Sequence, residues 1–301
     1  MKTESYPKTL KQAISYFDDV DAAHDFFVRL RWPDGVRCPL CQSTDVKFVK
    51  TKEKHPRRLW NCHGCKKQFT AKVGTIFEDS AIGFDKWLPA IWLAVNCKNG
   101  ISSCELARSL GVQQKTAWFM LHRIRHTLQC GSVEKLSGTV EADETFVGGL
   151  AKNMHKGKRK AVGRGPTGKA IVMGMLERNG PVRTRVIPDT RRRTLHAQIR
   201  QHVAIGSRVF TDALPSYNKL SPEYIHEAID HAKEYARGCV HTNGMENFWS
   251  LLKRSIRGTY VHVNAEHLHR YADEQGYRFN ERKGTDSERF VRATQSVTGC
   301  R

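Results

Sequence analysis

The spacing of apolar residues divides this chain into stretches of different period. Residues 8–30 (KTLKQAISYFDDVDAAHDFFVRL) place Ile14, Phe17, Val20, Phe26 and Phe27 at helical intervals, which predicts one or two short helices. From Trp32 to Ile76 the helical period is lost among turn residues, cysteines and lysines. Only the short alternating pieces Val46–Val49 and Arg58–Trp60 remain, as in a small β-unit. Residues 84–128 are helical again. Over 136–215 strand patterns dominate (Thr139–Val147, Ala170–Glu177, Val182–Ile187, Ser207–Thr211) around one helix near Arg193–His202, and helices return from Asn243. The segment Lys152–Gly165 (KNMHKGKRKAVGRG) is basic and glycine-rich and reads as an exposed loop between the first two of these strands. The expected class is α+β and multi-domain: N-terminal helices over 1–31, a β-unit over 32–80, a helical region over 84–130, a large domain over 136–282 and a tail over 283–301.

Charge narrows the partner. Fifty Lys and Arg against thirty Asp and Glu leave +20 on 301 residues, which favours a polyanion. A membrane-spanning role is excluded by pattern, since the longest mostly apolar stretch, Trp87 to Cys97, is far below the roughly 20 residues a spanning helix needs. The start, MKTESYPKTLKQ, lacks the apolar block of a secretory signal, so the expected location is the cytoplasm of a prokaryote, in association with the nucleoid. Nine cysteines, an odd number whose first four form two C-x2-C pairs, point to metal ligands plus free thiols rather than a disulfide framework.

Those pairs, Cys38–Cys41 and Cys62–Cys65, are separated by twenty residues. Each pair suits a knuckle turn with a hairpin between, and four thiolates so placed close a tetrahedron around zinc. A closed set leaves no open position, so this zinc is expected to be structural. His63 is an alternative ligand outside the set. The flanking Lys47, Lys50, Lys52, Lys54, Arg57, Arg58, Lys66 and Lys67 suit contact with a DNA backbone or a solvated face equally.

In SSCELARSLGVQQKTAWFMLHRI, Leu106, Ala107 and Leu110 form an apolar face, Gly111 permits a tight turn, and Val112, Ala117 and Met120 resume the face. Two helices crossing closely need that spacing, as in a helix-turn-helix. Its second helix would direct Gln113, Gln114 and Lys115 at base edges while Arg123 and Arg125 meet phosphates. A generic helical hairpin carries the same pattern.

Thr139-Val-Glu-Ala-Asp-Glu-Thr-Phe-Val147 reads as a strand with Asp143 inside it. Alternation puts Glu141 on the side of Asp143, with Val140, Ala142 and Phe146 opposite. A carboxylate on a core strand is costly unless paired or metal-bound. A second short strand, Arg208-Val-Phe-Thr-Asp212, ends in an acid before Ala213-Leu-Pro-Ser-Tyr217 turns the chain. His241-Thr-Asn-Gly-Met-Glu-Asn-Phe-Trp-Ser-Leu-Leu-Lys-Arg254 reads as a helix capped by Asn243, with Phe248, Leu251 and Leu252 on its core face and Glu246 and Lys253 projecting from one side. Three convergent acids are what two divalent cations need in phosphodiester chemistry, and hard oxygen ligands favour Mg²⁺ or Mn²⁺.

The two cysteine pairs with the following KKQFTAKVGTIFEDS, together with KTAWFMLHRIR, VEADETFVGG, VFTDALPSY and HTNGMENFWSLLKR, in that order, resemble the zinc-ribbon insertion-sequence transposases. The likeness covers nearly the whole chain before about Lys283. It implies a ribonuclease-H-like DDE domain with a mixed sheet flanked by helices. Asp143, Asp212 and Glu246 match the family's metal-binding triad, and Lys253 its basic contact to the DNA end. Some branches use an asparagine as third ligand, a place Asn243 could take. The implied activity is metal-dependent phosphodiester hydrolysis and strand transfer on double-stranded DNA, namely element terminal repeats and target, with at least a homodimer joining two ends. A non-catalytic DNA-binding regulator would share the front end but lack an acid. A nuclease or resolvase of the same fold would cut without joining.

Overall fold

Thr9 and Asp19 start the first two helices. Thr9 Oγ1 accepts from Gln12 N, and Asp19 Oδ1 accepts from Asp21 N and Ala22 N, so that orphan amides of α1 (Leu10–Phe17) and α2 (Val20–Arg31) are satisfied. The computed structural model describes residues 6–49, 58–129, 134–148, 168–220, 222–229 and 240–299. The Lys152–Gly165 segment therefore lies outside the described residues, as do Lys50, Lys52, Lys54 and Arg57. The chain divides into two compact units, residues 1–128 with 284–301, and 129–283.

In the first unit, β1 (Val46–Val49), β2 (Leu59–Cys62) and β3 (Gln68–Phe69) form an antiparallel sheet. Helices α3 (Phe84–Asn96), α4 (Ser103–Leu110) and α5 (Gln114–Thr127) follow. The segment after Lys283 is structured: Thr285 and Glu288 form a reciprocal capping box that starts α9 (Asp286–Gln295). Its Phe290 is fully buried, with ring centroids 5.6 Å from Phe17, 5.8 Å from Phe26 and 5.1 Å from Trp92. The sequence reading named this segment only as a tail over 283–301. The T-D-S-E signature was readable, but its partners are nearly two hundred or more residues upstream.

The second unit is built on five strands: β4 (Thr139–Val147), β5 (Ala170–Glu177), β6 (Val182–Ile187), β7 (Arg208–Asp212) and β8 (Ile225–Ile229). Their order is β6-β5-β4-β7-β8. The first three pair antiparallel, while β7 runs parallel to both β4 and β8. On one face Val140, Ala142, Met173, Met175 and Val209 pack with Leu195 and Ile199 of α6 (Arg192–His202). On the other, Val172 and Leu176 pack with Met245, Phe248 and Leu252 of α7 (Asn243–Ser255) and with Ala272 and Phe279 of α8 (Leu268–Asn280). The sheet is thus a mixed one buried on both faces by helices, and the whole is an α+β fold. Among the described residues no helix is long and apolar enough to cross a membrane.

Candidate active site

β4 lies at the centre of the sheet, and its neighbours decide which acids it gathers. Because β7 runs parallel to β4, both strands carry their acids toward one sheet edge, β4 at Asp143 and β7 at its last residue, Asp212. Carboxylate oxygens of Asp143, Glu144 and Asp212 lie within 4.8 Å of one another. Asp143 Oδ1 accepts from Glu144 N at 2.8 Å and Oδ2 from Trp249 Nε1 at 2.9 Å, which fixes both of its oxygens. Trp249 reaches it because Gly174, the β5 partner of Asp143, has no side chain: a Cβ there would stand 2.2 Å from Met245 Cε and 2.7 Å from Trp249 Cζ2. Asp212 Oδ1 accepts from Leu214 N at 3.1 Å. The Tyr217 hydroxyl donates to Glu144 Oε1.

Crowding of like charge shows in the protonation equilibria. Burial and then the Asp212 charge push Asp143 up to about 6, against the two hydrogen bonds it accepts; the charge of Glu246 adds a smaller push. Burial pushes Glu144 up to about 8, although the Tyr217 hydrogen bond pulls it back. Such a set of oxygens favours a cation, and the donor chemistry fits a hard one. The parallel strands β4 and β7 bring together Asp143 and Asp212 of the sequence-derived acids. Glu246 stands exposed on the first turn of α7, outside the 4.8 Å cluster, and Asn243 is exposed beside it. Asn243 does not cap the helix as the sequence reading expected. Thr242 is the N-cap residue, with no side-chain cap bond, and the orphan amide of Met245 is met instead by Glu141 Oε2 at 3.0 Å. Lys253 is half-buried in a recess of about 500 Å³ shared with Phe146, Lys169 and Arg257.

The four cysteine sulfurs of the first unit also lie within 4.8 Å of one another. Sγ pairs Cys38–Cys65 and Cys41–Cys62 are 3.7 and 3.5 Å apart. A tetrahedron with metal–sulfur bonds of about 2.3 Å has edges of about 3.8 Å, so the sulfurs fit such a site with little adjustment. His63 points elsewhere, with Nδ1 3.1 Å from Asp45 Oδ1.

Two family models match: the ISXO2-like transposase domain over residues 135–280 and the transposase zinc-ribbon domain over residues 19–68. A transposase-like protein of Haemophilus influenzae is 35% identical over 100 residues, which cover 33% of this chain and 80% of that protein. The chain belongs to the ISXO2-like transposase family. A protein of the transposable element ISH50 in Halobacterium salinarum is 28% identical over 247 residues, covering 77% of the transposase chain and 81% of its own length. Crystal structures of the Mos1 strand transfer complex and a pre-cleavage Mos1 transpososome overlap this transposase at TM-scores of 0.22 and 0.23. Both are 12% identical, with 70% and 97% of this chain and 78% and 99% of theirs covered; overlap this loose carries no statement about the fold.

In the helical part of the transposase, Ser102 Oγ caps α4 at Glu105 N, and Gly111 at φ 61 lets the chain reverse into α5. Gln113, Gln114 and Lys115 are exposed at the start of α5, and Gln114 Nε2 donates to Ser103 Oγ at 2.8 Å. Arg123 is exposed but donates through Nη1 to the carbonyls of Ile76 and Glu78. Arg125 is only 2% exposed, which corrects the phosphate contact expected of it: helical periodicity located it on α5 but not its depth. Sequence reasoning also missed Glu144, Trp249 and Tyr217. Glu144 adjoins Asp143 in VEADETF, and Tyr217 closes VFTDALPSY, so both motifs held the signal.

Proposed function

We propose that this chain is a DNA transposase that hydrolyses phosphodiesters at element ends and transfers the freed strand to target DNA, using divalent cations held on a ribonuclease-H-like sheet. The convergence of Asp143, Glu144 and Asp212 within 4.8 Å carries this reading. Asp143 and Asp212 would hold Mg²⁺ or Mn²⁺, with Glu246 from α7 as the third ligand and Glu144 and Asn243 as its competitors. Held there, such cations would supply Lewis-acid activation of water or of a 3′-hydroxyl and charge stabilisation for the departing oxygen. Trp249 and the Glu144 amide keep Asp143 from rotating. The Leu214 amide does the same for Asp212, so the site is preorganised for in-line displacement without a covalent protein intermediate. Lys253 would position the DNA strand. The four cysteines would hold a structural zinc, and exposed Gln113, Gln114 and Lys115 would read base edges from the start of α5, with Arg123 on the backbone.

The test is to incubate purified protein with labelled element ends, plasmid target and Mg²⁺ and to look for joined products. Asp143→Asn and Asp212→Asn should abolish cleavage and joining while DNA binding persists. Strand transfer by either variant at the wild-type level would overturn the assignment.

A further inference from the structure

Glu141 stands two residues before Asp143 on the same face of β4, yet the reaction proposed above does not use it. It is 1% exposed. Its oxygens are divided between two elements: Oε1 accepts from Arg178 Nε at 3.0 Å, and Oε2 accepts from Met245 N at 3.0 Å. His241 Nδ1 lies 3.4 Å from Oε1. Arg178 in turn donates through Nη2 to the carbonyl of His241 at 3.0 Å and lays its guanidinium over the Phe210 ring, 4.8 Å from the centroid. Phe210 is the β7 partner of Glu141 and precedes Asp212 by two residues. One buried carboxylate thereby ties together β4, the end of β5, β7 and the start of α7. Three of these carry the acids Asp143, Asp212 and Glu246.

We propose that Glu141 is a positioning residue for the metal site: it caps α7 from another strand and sets the register of Glu246, Asn243 and Trp249 against Asp143. A helix N-terminus with no side-chain cap of its own favours a fixed negative charge, and Glu141 supplies it where Thr242 does not. The fit is close. A Cβ on Gly244 would stand 2.8 Å from Glu141 Oε2 and 2.6 Å from Leu176 Cδ2, so only glycine lets the first turn of α7 approach this near. A buried charge with both oxygens used resists substitution by an isostere, because glutamine would turn an amide donor toward Arg178 or toward the Met245 amide.

This inference rests on the reading of Asp143 and Asp212 as metal ligands, and its test separates the two. Mn²⁺ binding by the full chain is measured by electron paramagnetic resonance for wild type, Asp143→Asn and Glu141→Gln, with hydrogen exchange followed over residues 242–250. Glu141→Gln should fold, exchange faster over 242–250, and bind Mn²⁺ about tenfold or more weakly, the range for losing a group that orients ligands. Mn²⁺ affinity equal to wild type in Glu141→Gln would make Glu141 a helix cap without a positioning role and overturn the proposal. Wild type and Asp143→Asn binding Mn²⁺ alike would instead overturn the reading of the acids, and the positioning role with it. Should Glu141→Gln not fold, Gly244→Ala decides: it pushes the start of α7 from an intact Glu141. It should weaken Mn²⁺ by a similar factor; unchanged affinity overturns the proposal.

Discussion

His202 illustrates how a single buried side chain couples this fold to pH. It closes α6 with 6% of its surface exposed, and its Nε2 has no hydrogen-bond partner among the described residues. Burial first, then the positive charges of Arg185, Arg183 and Lys135, push its imidazolium down to about 4. Because the folded value lies below the unfolded 6.5, His202 contributes its full stability above pH 6.5 and loses it as pH falls toward 4. At 1.36 kcal/mol per unit the loss is roughly 3 kcal/mol. Asp273, raised to about 6 by burial, works in the opposite sense over much of that range, losing its contribution as pH rises. The informative quantity is therefore the difference between wild type and His202→Leu in denaturant melts: it should change in favour of the variant by that amount between pH 7 and pH 4. A difference independent of pH would mean that His202 titrates normally. Neither group was singled out from sequence, since a histidine in a helical pattern says nothing about the three cations around it.

At the scale of elements, the described residues of the β-unit over 38–69 bury few apolar side chains. Beyond Trp60 and Phe69 its fixed points are the buried Cys38 and Cys62 with Cys41 and Cys65. Metal binding should therefore supply most of its folding free energy. Cys38→Ser is expected to release zinc and to raise hydrogen exchange over about residues 35–75 while the five-stranded sheet stays protected. Absence of zinc from carefully purified wild-type protein would end this account. Helix α5 invites a second experiment. Its first turn is exposed at Gln114 and Lys115, so replacing both with Ala should lower preference for element ends more than general DNA affinity. Equal losses would assign these residues to the backbone alone.

For the whole molecule, the excess of twenty positive charges makes phosphate neutralisation the expected source of affinity. Binding to a duplex followed by fluorescence anisotropy should weaken linearly in log–log salt plots, with a slope of about −0.9 per phosphate contacted. A flat salt dependence would leave that charge without a role in binding. By itself the sequence determined whatever a local window can encode: the strands Thr139–Val147, Ala170–Glu177 and Val182–Ile187, the reversal at Gly111, the paired cysteines, Asp143 inside one strand and Asp212 at the end of another. These follow from periods of 2 and 3.6, from turn chemistry and from ligand spacing. Only the tertiary structure decided how deep a residue lies and what it meets. Arg125 and Arg123 share one helix, yet one is buried and the other exposed. Asp143 meets Trp249 across 106 positions, and Glu141 meets the Met245 amide across 104. Asp212 meets Asp143 and Glu144 because the parallel pairing of β4 and β7 sets the end of β7 beside the middle of β4, and alternation along either strand alone contains no trace of that pairing.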